Sequence, residues 1–255
     1  MTVLESLLFG IFQGVTEFLP ISSSGHLALM KKILKLGISE EEFLVYTVSV
    51  HAGTLLSVVF YFRREIVSIL TRQRRVIWLL LIASVPASVV GYFGKPLFVK
   101  VESSLILLAV CFSVSALFLF AVPKEQKSAK DLASIKIPDA IFVGLAQGVG
   151  VLPGVSRSGS TVSTSLVRGI APAAAVAFSL ILGLISVGGA TLLEARKIGK
   201  LAGEDALPLT ISFIAALIVG LLCVRLLLLV SVRGRLRYFG YYLLALAIFC
   251  AFAAI

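Results

Sequence analysis

Histidine and cysteine are scarce in this chain of 255 residues, and long soluble loops are missing. It has two histidines and three cysteines. Cys111, Cys223 and Cys250 are an odd number, lie inside apolar runs and lack metal-ligand spacing, so we interpret them as small core or lipid-facing residues. Residues 1–6 contain no Lys or Arg, which a cleavable signal peptide would have, so we expect the N-terminus to remain in the mature protein.

Charged residues are also few, at 14% of the sequence against 59% apolar residues, and the mean hydropathy is +1.07. These values indicate an integral membrane protein with room for roughly six to eight spans. The net charge of +10 comes from basic residues dispersed over the loops. These residues do not form a single basic patch interspersed with aromatic side chains, so we expect no nucleic acid as partner. We expect instead that they set the orientation of the chain in the membrane.

Continuous apolar runs predict six full membrane spans. Two further apolar segments, 4–31 and 138–168, are broken near their centres by Pro, Gly and Ser, which predicts helix–loop–helix hairpins that re-enter the membrane. The six predicted spans are Phe43–Phe62, Val76–Gly94, Val101–Val122, Ala173–Leu193, Pro208–Val230 and Tyr238–Ile255.

The two hairpins match each other in sequence. The triplet Gln-Gly-Val occurs at 13–15 and 147–149, and Ser-Gly at 24–25 and 158–159, so both pairs are separated by the same offset along the chain. Each hairpin precedes three spans, so one unit crosses the membrane an odd number of times and its copy must be inverted. We predict an all-α polytopic membrane protein, a single domain with inverted-topology repeats at about 1–125 and 135–255.

Loop charge predicts the orientation of these repeats. With both hairpins re-entrant, the loops on one side carry most of the Lys and Arg, whereas acidic residues dilute those on the other side. The positive-inside rule places the first side in the cytoplasm. Both termini and the mouth of the first hairpin then lie outside, and the two hairpin tips should meet near the midplane.

The tips carry polar residues typical of an anion site. Each tip leads into a half-helix, whose N-terminus attracts anions, and Arg157 adds a planar fork that favours phosphate over carboxylate. Glu17 fits both an ion pair with Arg157 and a role in chemistry, and Gln13 lies on the same helix face, where the two could hold a metal. The small residues fit substrate binding or helix capping; they are Ser22, Ser24, Gly25, Ser156, Ser158, Gly159 and Thr161.

The two histidines have different surroundings. His26 lies two residues after Ser24, where a general acid or base is plausible. His51 lies within a predicted span, where a structural hydrogen bond and a substrate contact fit equally well.

These residues resemble the signature of the undecaprenyl-pyrophosphate phosphatases of the bacitracin-resistance family, and the resemblance runs essentially end to end. It is carried by Gln13, Glu17, Pro20, the Ser-rich loop 22–26 and the loop 153–159. The resemblance implies an enzyme of the bacterial cell membrane that hydrolyses undecaprenyl diphosphate to the monophosphate carrier used in cell-wall synthesis. It also implies a divalent cation, Mg²⁺ or Ca²⁺, and an active site open to the external side.

The resemblance assigns roles to four residues: Ser23 as nucleophile, His26 as acid or base, Glu17 as essential carboxylate and Arg157 as phosphate clamp. A phosphohistidine on His26 and a cation-activated water with Glu17 as base remain alternatives. Many relatives have Glu where this chain has Gln13, which puts a two-carboxylate metal site in doubt.

Other classes fit less well. A secondary transporter or lipid flippase with a midplane anion site is the main alternative, because inverted repeats with broken helices are transporter architecture. The PAP2-type phosphatases need motifs that the chain lacks, and a structural scaffold would not require polar loops at bilayer depth.

A lateral opening lined by Phe, Leu and Val should admit the lipid tail, through spans that the sequence does not identify. The oligomeric state is not readable, and a homodimer is compatible with the sequence.

Overall fold

A computed structural model describes residues 1–34, 39–123, 130–195 and 206–254. Within them the chain is α-helical apart from a 3₁₀ turn at Leu132–Ser134 and one β-bridge, so the all-α prediction is confirmed. The three cysteines are buried and unbridged, as predicted. The helices are α1 Val3–Phe18, α2 Ser23–Leu34, α3 Glu40–Tyr61, α4 Arg63–Thr71, α5 Arg74–Phe93, α6 Lys95–Ser103, α7 Leu105–Phe120, α8 Ile137–Val149, α9 Arg157–Val167, α10 Pro172–Ala195, α11 Ala206–Val232 and α12 Arg237–Phe252.

Four helices in the described part of the chain, α3, α5, α10 and α11, are long and apolar enough to cross a membrane. They correspond to four of the six predicted spans, and the chain is a multi-pass membrane protein. The predicted span Tyr238–Ile255 corresponds to α12, whose 16 residues measure about 24 Å, somewhat less than a typical hydrocarbon core. Its last residue, Ile255, lies outside the described residues.

The predicted span Val101–Val122 is wrong at its start. Val101 belongs to α6, and α6 meets α7 at an angle of 106°. Ser104 lies between them in an extended conformation, and its side chain accepts a hydrogen bond from the N–H of Leu107. Ser104 therefore caps the N-terminus of α7, and the apolar run changes direction at this residue.

Both predicted hairpins are present as helix–loop–helix units. In the first, residues 19–22 separate α1 from α2, and in the second, residues 150–156 separate α8 from α9. Ser22 has φ +70°, and it is the one non-glycine residue of the described part with a positive φ. Because this region costs an L-residue about 1–2 kcal/mol, the contacts around Ser22 must hold the tip in place.

The first helix of each half of the chain packs against a helix of the other half. A Cβ on Gly10 of α1 would lie 2.3 Å from the Ser212 carbonyl oxygen of α11, and one on Gly144 of α8 would lie 2.7 Å from the Ala83 carbonyl oxygen of α5. Gly10 and Gly144 are equivalent in the repeat, because the same offset relates them, and close backbone approach at small residues is how membrane helices pack. Such reciprocal packing is what an inverted repeat predicts; the repeat boundaries and their orientation across the membrane stay predictions.

A buried carboxylate closes the base of the second hairpin. Asp139 of α8 is 1% exposed and accepts hydrogen bonds from Lys130 Nζ at 3.2 Å and from Arg168 Nε at 2.9 Å. These bonds tie the segment before α8 to the end of α9. Both basic residues belong to the side that loop charge predicts to be cytoplasmic. Some of the other loop charges used for that prediction of orientation lie at 35–38, 124–129 and 196–205, outside the described residues.

Replacing Asp139 by Asn should lower the apparent melting temperature in detergent, because Lys130 and Arg168 lose their shared carboxylate. Hydrogen bonds to charged groups contribute about 1.5–3 kcal/mol, so we expect a loss near 2 kcal/mol. The matched control is Glu5→Gln at the equivalent position of α1, where the carboxylate is exposed. Equal thermal shifts in the two variants, measured by loss of monodisperse protein on heating, would contradict the role given to Asp139.

Candidate active site

The carboxylate of Glu17 joins the two hairpins. Its Oε1 accepts a hydrogen bond from Arg157 Nη2 at 2.6 Å, and its Oε2 accepts one from Ser23 Oγ at 2.9 Å. The side chains of Glu17 and Arg157 are 8% and 15% exposed. Bonds in which both groups are charged are roughly twice as strong as neutral ones. The pair expected from the sequence is therefore formed, and it also holds the candidate nucleophile.

Ser23 and Arg157 occupy equivalent positions in the repeat, since the same offset relates them and they are the first residues of α2 and α9. Each follows a serine that caps its half-helix. The Oγ of this serine accepts a hydrogen bond from the N–H of the glycine three residues on, at 3.3 Å for Ser22 and 3.1 Å for Ser156. The repeat thus places a hydroxyl and a guanidinium symmetrically on the two oxygens of one carboxylate.

The two hairpin tips touch through small residues. A Cβ on Gly25 would lie 2.6 Å from Gly154 Cα, and one on Gly159 would lie 3.1 Å from Pro20 Cβ. The repeat also relates these two contacts, because Gly25 is equivalent to Gly159 and Pro20 to Gly154. A larger residue at position 25 would push the tips apart and lengthen the bond between Glu17 and Arg157. The tips therefore meet as predicted, and their depth in the membrane stays a prediction.

The hydroxyls after Arg157 bond to the protein itself. Ser158 Oγ donates to the Leu19 carbonyl oxygen at 3.4 Å, and Thr161 Oγ1 donates to the Arg157 carbonyl oxygen at 2.7 Å. Both residues are almost fully buried. Ser158 thus ties α9 to the first hairpin tip, and Thr161 bonds within α9 beneath Arg157. Their predicted role in substrate binding stays a prediction.

His51 lies beside Glu17 and Gln13. Gln13 Nε2 donates to Glu17 Oε2 at 3.0 Å and lies 3.3 Å from His51 Nε2. His51 Nδ1 is 2.8 Å from the Thr47 carbonyl oxygen, and because a carbonyl only accepts, this nitrogen carries the ring proton. His51 Nε2 faces the Gln13 amide and also lies 3.9 Å from Glu17 Oε2, so the imidazole is at the edge of the cluster.

His26 is turned away from Ser23. Its Nδ1 donates to the Ser22 carbonyl oxygen at 2.8 Å, and its Nε2 accepts from the Tyr242 hydroxyl at 2.7 Å. The ring stacks on Tyr242 and meets the edge of Phe112. Both ring nitrogens therefore have protein partners, and Tyr242 is a neighbour that no motif indicated.

A cavity of about 160 Å³ opens beside the candidate nucleophile. Its polar wall consists of Ser23, Ser24, Thr47, His51 and Glu102, and its apolar wall of Leu27, Ala28 and Phe43. Ser23 and Ser24, unlike Ser22, are partly exposed. An anion that enters this cavity meets hydroxyl donors and the N-terminus of α2.

The predicted metal residues, Glu17 and Gln13, provide few oxygens. Glu17 already accepts from Arg157, Ser23 and Gln13, while Gln13 Oε1 is buried without a hydrogen-bond partner in the described part of the chain. Among the described residues no group of three or more His, Cys, Asp or Glu side chains is placed to hold a metal. A cation would need further oxygens from a ligand.

Gly183 of α10 is a residue that no sequence motif indicated. A Cβ at this position would lie 1.8 Å from Arg157 Nη1, so the guanidinium occupies space that any other residue would fill. Arg157 Nη1 is buried and has no hydrogen-bond partner among the described residues. Gly183 thus lets Arg157 reach Glu17, and one guanidinium nitrogen stays without a partner in the described part of the chain.

Comparison with known proteins gives one consistent family. The family model described as "Bacitracin resistance protein BacA" matches residues 6–249. The undecaprenyl-diphosphatase of Carboxydothermus hydrogenoformans is 36% identical over 97% of this chain and 96% of its own length. Those of Alkaliphilus metalliredigens and Methanococcus vannielii are each 33% identical, over 95% and 98% of this chain and 95% and 99% of their own lengths.

Replacing Gly183 by Ala should weaken anion binding, because the new methyl group displaces the guanidinium of Arg157. We expect the dissociation constant for inorganic diphosphate, measured by calorimetry in detergent, to rise at least about tenfold, or about 1.4 kcal/mol. Gly91→Ala in α5 is the matched control, since a Cβ there meets nothing within 4 Å. Unchanged binding by well-folded Gly183→Ala would contradict this role.

Proposed function

The chain belongs to the BacA family of bacitracin resistance proteins, and on that basis we propose that it hydrolyses undecaprenyl diphosphate to undecaprenyl phosphate and inorganic phosphate. The observation that carries the proposal is the Glu17 carboxylate, which contacts both Ser23 and Arg157. A hydroxyl, a carboxylate and a guanidinium in one buried cluster are the groups that phosphoryl transfer needs. The same reaction is named for the relatives that match nearly the whole chain.

Binding of the diphosphate changes the partners of Arg157. Phosphate oxygens compete with Glu17 for the guanidinium, which has one unpartnered nitrogen within the described residues and a planar fork suited to two oxygens. As Arg157 turns to the substrate, Glu17 keeps Ser23 and gains the freedom to accept its proton. Phosphoryl transfer depends mainly on positioning and on stabilising oxygen charge, and Arg157 and the half-helix N-termini supply both.

Ser23 is the nucleophile that the geometry favours. Its Oγ attacks the terminal phosphorus, the new O–P bond forms, and the bond to the bridging oxygen breaks, so that undecaprenyl phosphate leaves. The serine proton passes to Glu17, 2.9 Å away. Water then splits the phosphoserine, Glu17 returns the proton to Ser23, and inorganic phosphate is released. One water is consumed in each cycle.

His26 fits a supporting role better than a phosphohistidine. Its Nε2 would have to lose the Tyr242 hydroxyl before it could attack phosphorus, and its Nδ1 is bonded to Ser22. By holding both ends of the ring, these bonds fix the first turn of α2 and hence the direction of Ser23. Direct attack by water with Glu17 as base remains the competing route.

A divalent cation fits this site as a companion of the substrate. Gln13 Oε1 and one Glu17 oxygen would be its protein ligands, and Mg²⁺ is commonly held by one or two carboxylates together with substrate phosphate oxygens. Such a cation neutralises phosphate charge in the transition state. Because Gln13 is neutral, the diphosphate must supply most of the negative charge that holds the cation.

The site is accessible from the external side of the bacterial cell membrane in our proposal. Loop charge supports this orientation, since Arg63, Arg64, Arg72, Arg74 and Arg75 then lie in the cytoplasm. Transport of an anion would not require a serine hydroxyl held by a carboxylate, which favours hydrolysis over the transporter alternative. The homodimer stays a prediction.

Purified protein in detergent should release phosphate from undecaprenyl diphosphate, and Ser23→Ala and Arg157→Ala should each lower kcat by about 10²–10³-fold, the range seen for single charge-stabilising groups. Ser88→Ala is the control, because the bond that Ser88 makes within the described residues stays in its own helix, at the Ser84 carbonyl oxygen. Because the pair lies beside an open cavity, we expect Arg157→Ala to elute as monodisperse protein. No release by well-folded wild type would rule out the proposed reaction.

Gln13→Glu should lower the Mg²⁺ concentration that gives half-maximal phosphate release. The added carboxylate strengthens cation binding, and we expect a shift of about tenfold or less, because it also repels Glu17. A Mg²⁺ titration of wild type and variant measures the shift, with Gln147→Glu, the equivalent position in the second hairpin, as control. A shift of equal size in both variants would remove Gln13 from the cation site.

A further inference from the structure

The hydroxyl of Tyr242 begins a chain of contacts that ends at the Glu17 carboxylate. Tyr242 of α12 donates to His26 Nε2 at 2.7 Å, and His26 Nδ1 donates to the Ser22 carbonyl oxygen at 2.8 Å. The next residue, Ser23, donates through Oγ to Glu17 Oε2 at 2.9 Å. The described walls of the polar cavity belong to α2, α3 and α6, so α12 reaches the candidate nucleophile through this chain and not through the cavity.

The bond from His26 acts on the peptide group that joins Ser22 to Ser23. This group is planar, so a hydrogen bond at the Ser22 carbonyl oxygen also restrains the direction in which the backbone enters Ser23. The oxygen accepts twice, from His26 Nδ1 and, at 3.2 Å, from the backbone N–H of His26. Ser22 has φ +70°, a conformation that such contacts must hold. His26 therefore restrains the backbone that carries the candidate nucleophile.

Aromatic rings enclose the imidazole of His26. The Tyr242 ring is stacked on it, with the planes 9° apart and the centroids separated by 5.7 Å. Phe112 of α7 meets its edge, and Phe12 of α1 lies at a centroid distance of 6.3 Å. His26 is not among the described residues of α2 that line the polar cavity, which are Ser23, Ser24, Leu27 and Ala28. The imidazole is thus placed to act through the protein.

The second hairpin has no equivalent of this chain among the described residues. His26 corresponds in the repeat to Ser160, whose Oγ donates within its own helix to the Arg157 carbonyl oxygen at 3.0 Å. Tyr242 corresponds to Leu108, which is apolar and fully buried. The two halves therefore differ at these positions, and the polar contact is made to the hairpin that carries the hydroxyl nucleophile.

We propose that Tyr242 is a positioning residue for the reaction: its hydroxyl holds His26 with the proton on Nδ1, and His26 then sets the direction of Ser23. The inference rests on the proposed function and adds a residue of α12 to it. A bond donated to Nε2 strengthens the donor at Nδ1, because consecutive hydrogen bonds polarise one another. Since Tyr242 acts through His26, its hydroxyl should affect the chemical step more than substrate binding.

The tautomer of His26 can be read by ¹⁵N NMR of protein in detergent, labelled at histidine. The chain has two histidines, so the spectrum of a His51→Gln variant assigns both. We expect a protonated Nδ1 and an unprotonated Nε2 for His26. The Nε2 resonance should move in Tyr242→Phe, which removes the hydroxyl and keeps the ring. Tyr241→Phe is the matched control, since Tyr241 packs on Phe120 instead, and it should leave both resonances in place.

Kinetics tests whether the hydroxyl serves the reaction. Tyr242→Phe should lower kcat for phosphate release from undecaprenyl diphosphate roughly tenfold, because a small misplacement of a reacting group slows the chemical step. KM should change by less than about threefold, and Tyr241→Phe should change neither constant. In a His26→Ala background, Tyr242→Phe should cause no further loss, because its effect passes through His26.

Each outcome decides between the positioning role and the phosphatase itself. A proton on His26 Nε2 in wild type, an Nε2 resonance that Tyr242→Phe leaves in place, or losses that multiply in the double variant would overturn the positioning role. The wild-type tautomer decides even if Tyr242→Phe does not fold. Phosphate release by wild type together with an unchanged kcat in Tyr242→Phe would reject the positioning role alone. No release by well-folded wild type would reject the phosphatase, and the positioning role with it.

Discussion

The arrangement of the rest of the site depends on the ion pair between Glu17 and Arg157. Both side chains are largely buried, and a buried charge is costly unless it is paired, so each partner needs the other. The two residues are on different hairpins and meet only if both tips reach the same point. The serine caps and the glycine contacts at the tips provide that closeness, and the packing of α1 and α8 against helices of the other half holds the hairpins in register.

In the proposed mechanism the same ion pair couples substrate binding to proton transfer. While Arg157 bonds to Glu17, the carboxylate is shared between a guanidinium and the Ser23 hydroxyl. In the proposed mechanism an incoming phosphate takes the guanidinium, and the carboxylate keeps the Ser23 hydroxyl as its partner. The substrate itself then frees Glu17 to act as the base for Ser23.

Sequence reasoning predicted features that follow from local composition, and it missed those that depend on contacts between distant segments. Pro, Gly and Ser inside apolar runs predicted both hairpins, and repeated triplets predicted their equivalence. The sequence did not predict the bend at Ser104, because the apolar residues on both sides of it form one continuous run that is long enough for a single span. Nothing in the sequence around Gly183 marks it, since its importance comes from a guanidinium that belongs to another helix, α9.

Glycine has two opposite uses in this fold, and the difference separates packing from binding. Gly10 and Gly144 lie against the backbone of another helix, where a missing side chain lets two helices approach. Gly183 instead lies against the guanidinium of Arg157, where the missing side chain leaves space for a charged group. Helix packing alone does not require a glycine at this position. The bond between Arg157 and Glu17 does require one, because a Cβ at position 183 would lie 1.8 Å from Arg157 Nη1 and displace the guanidinium.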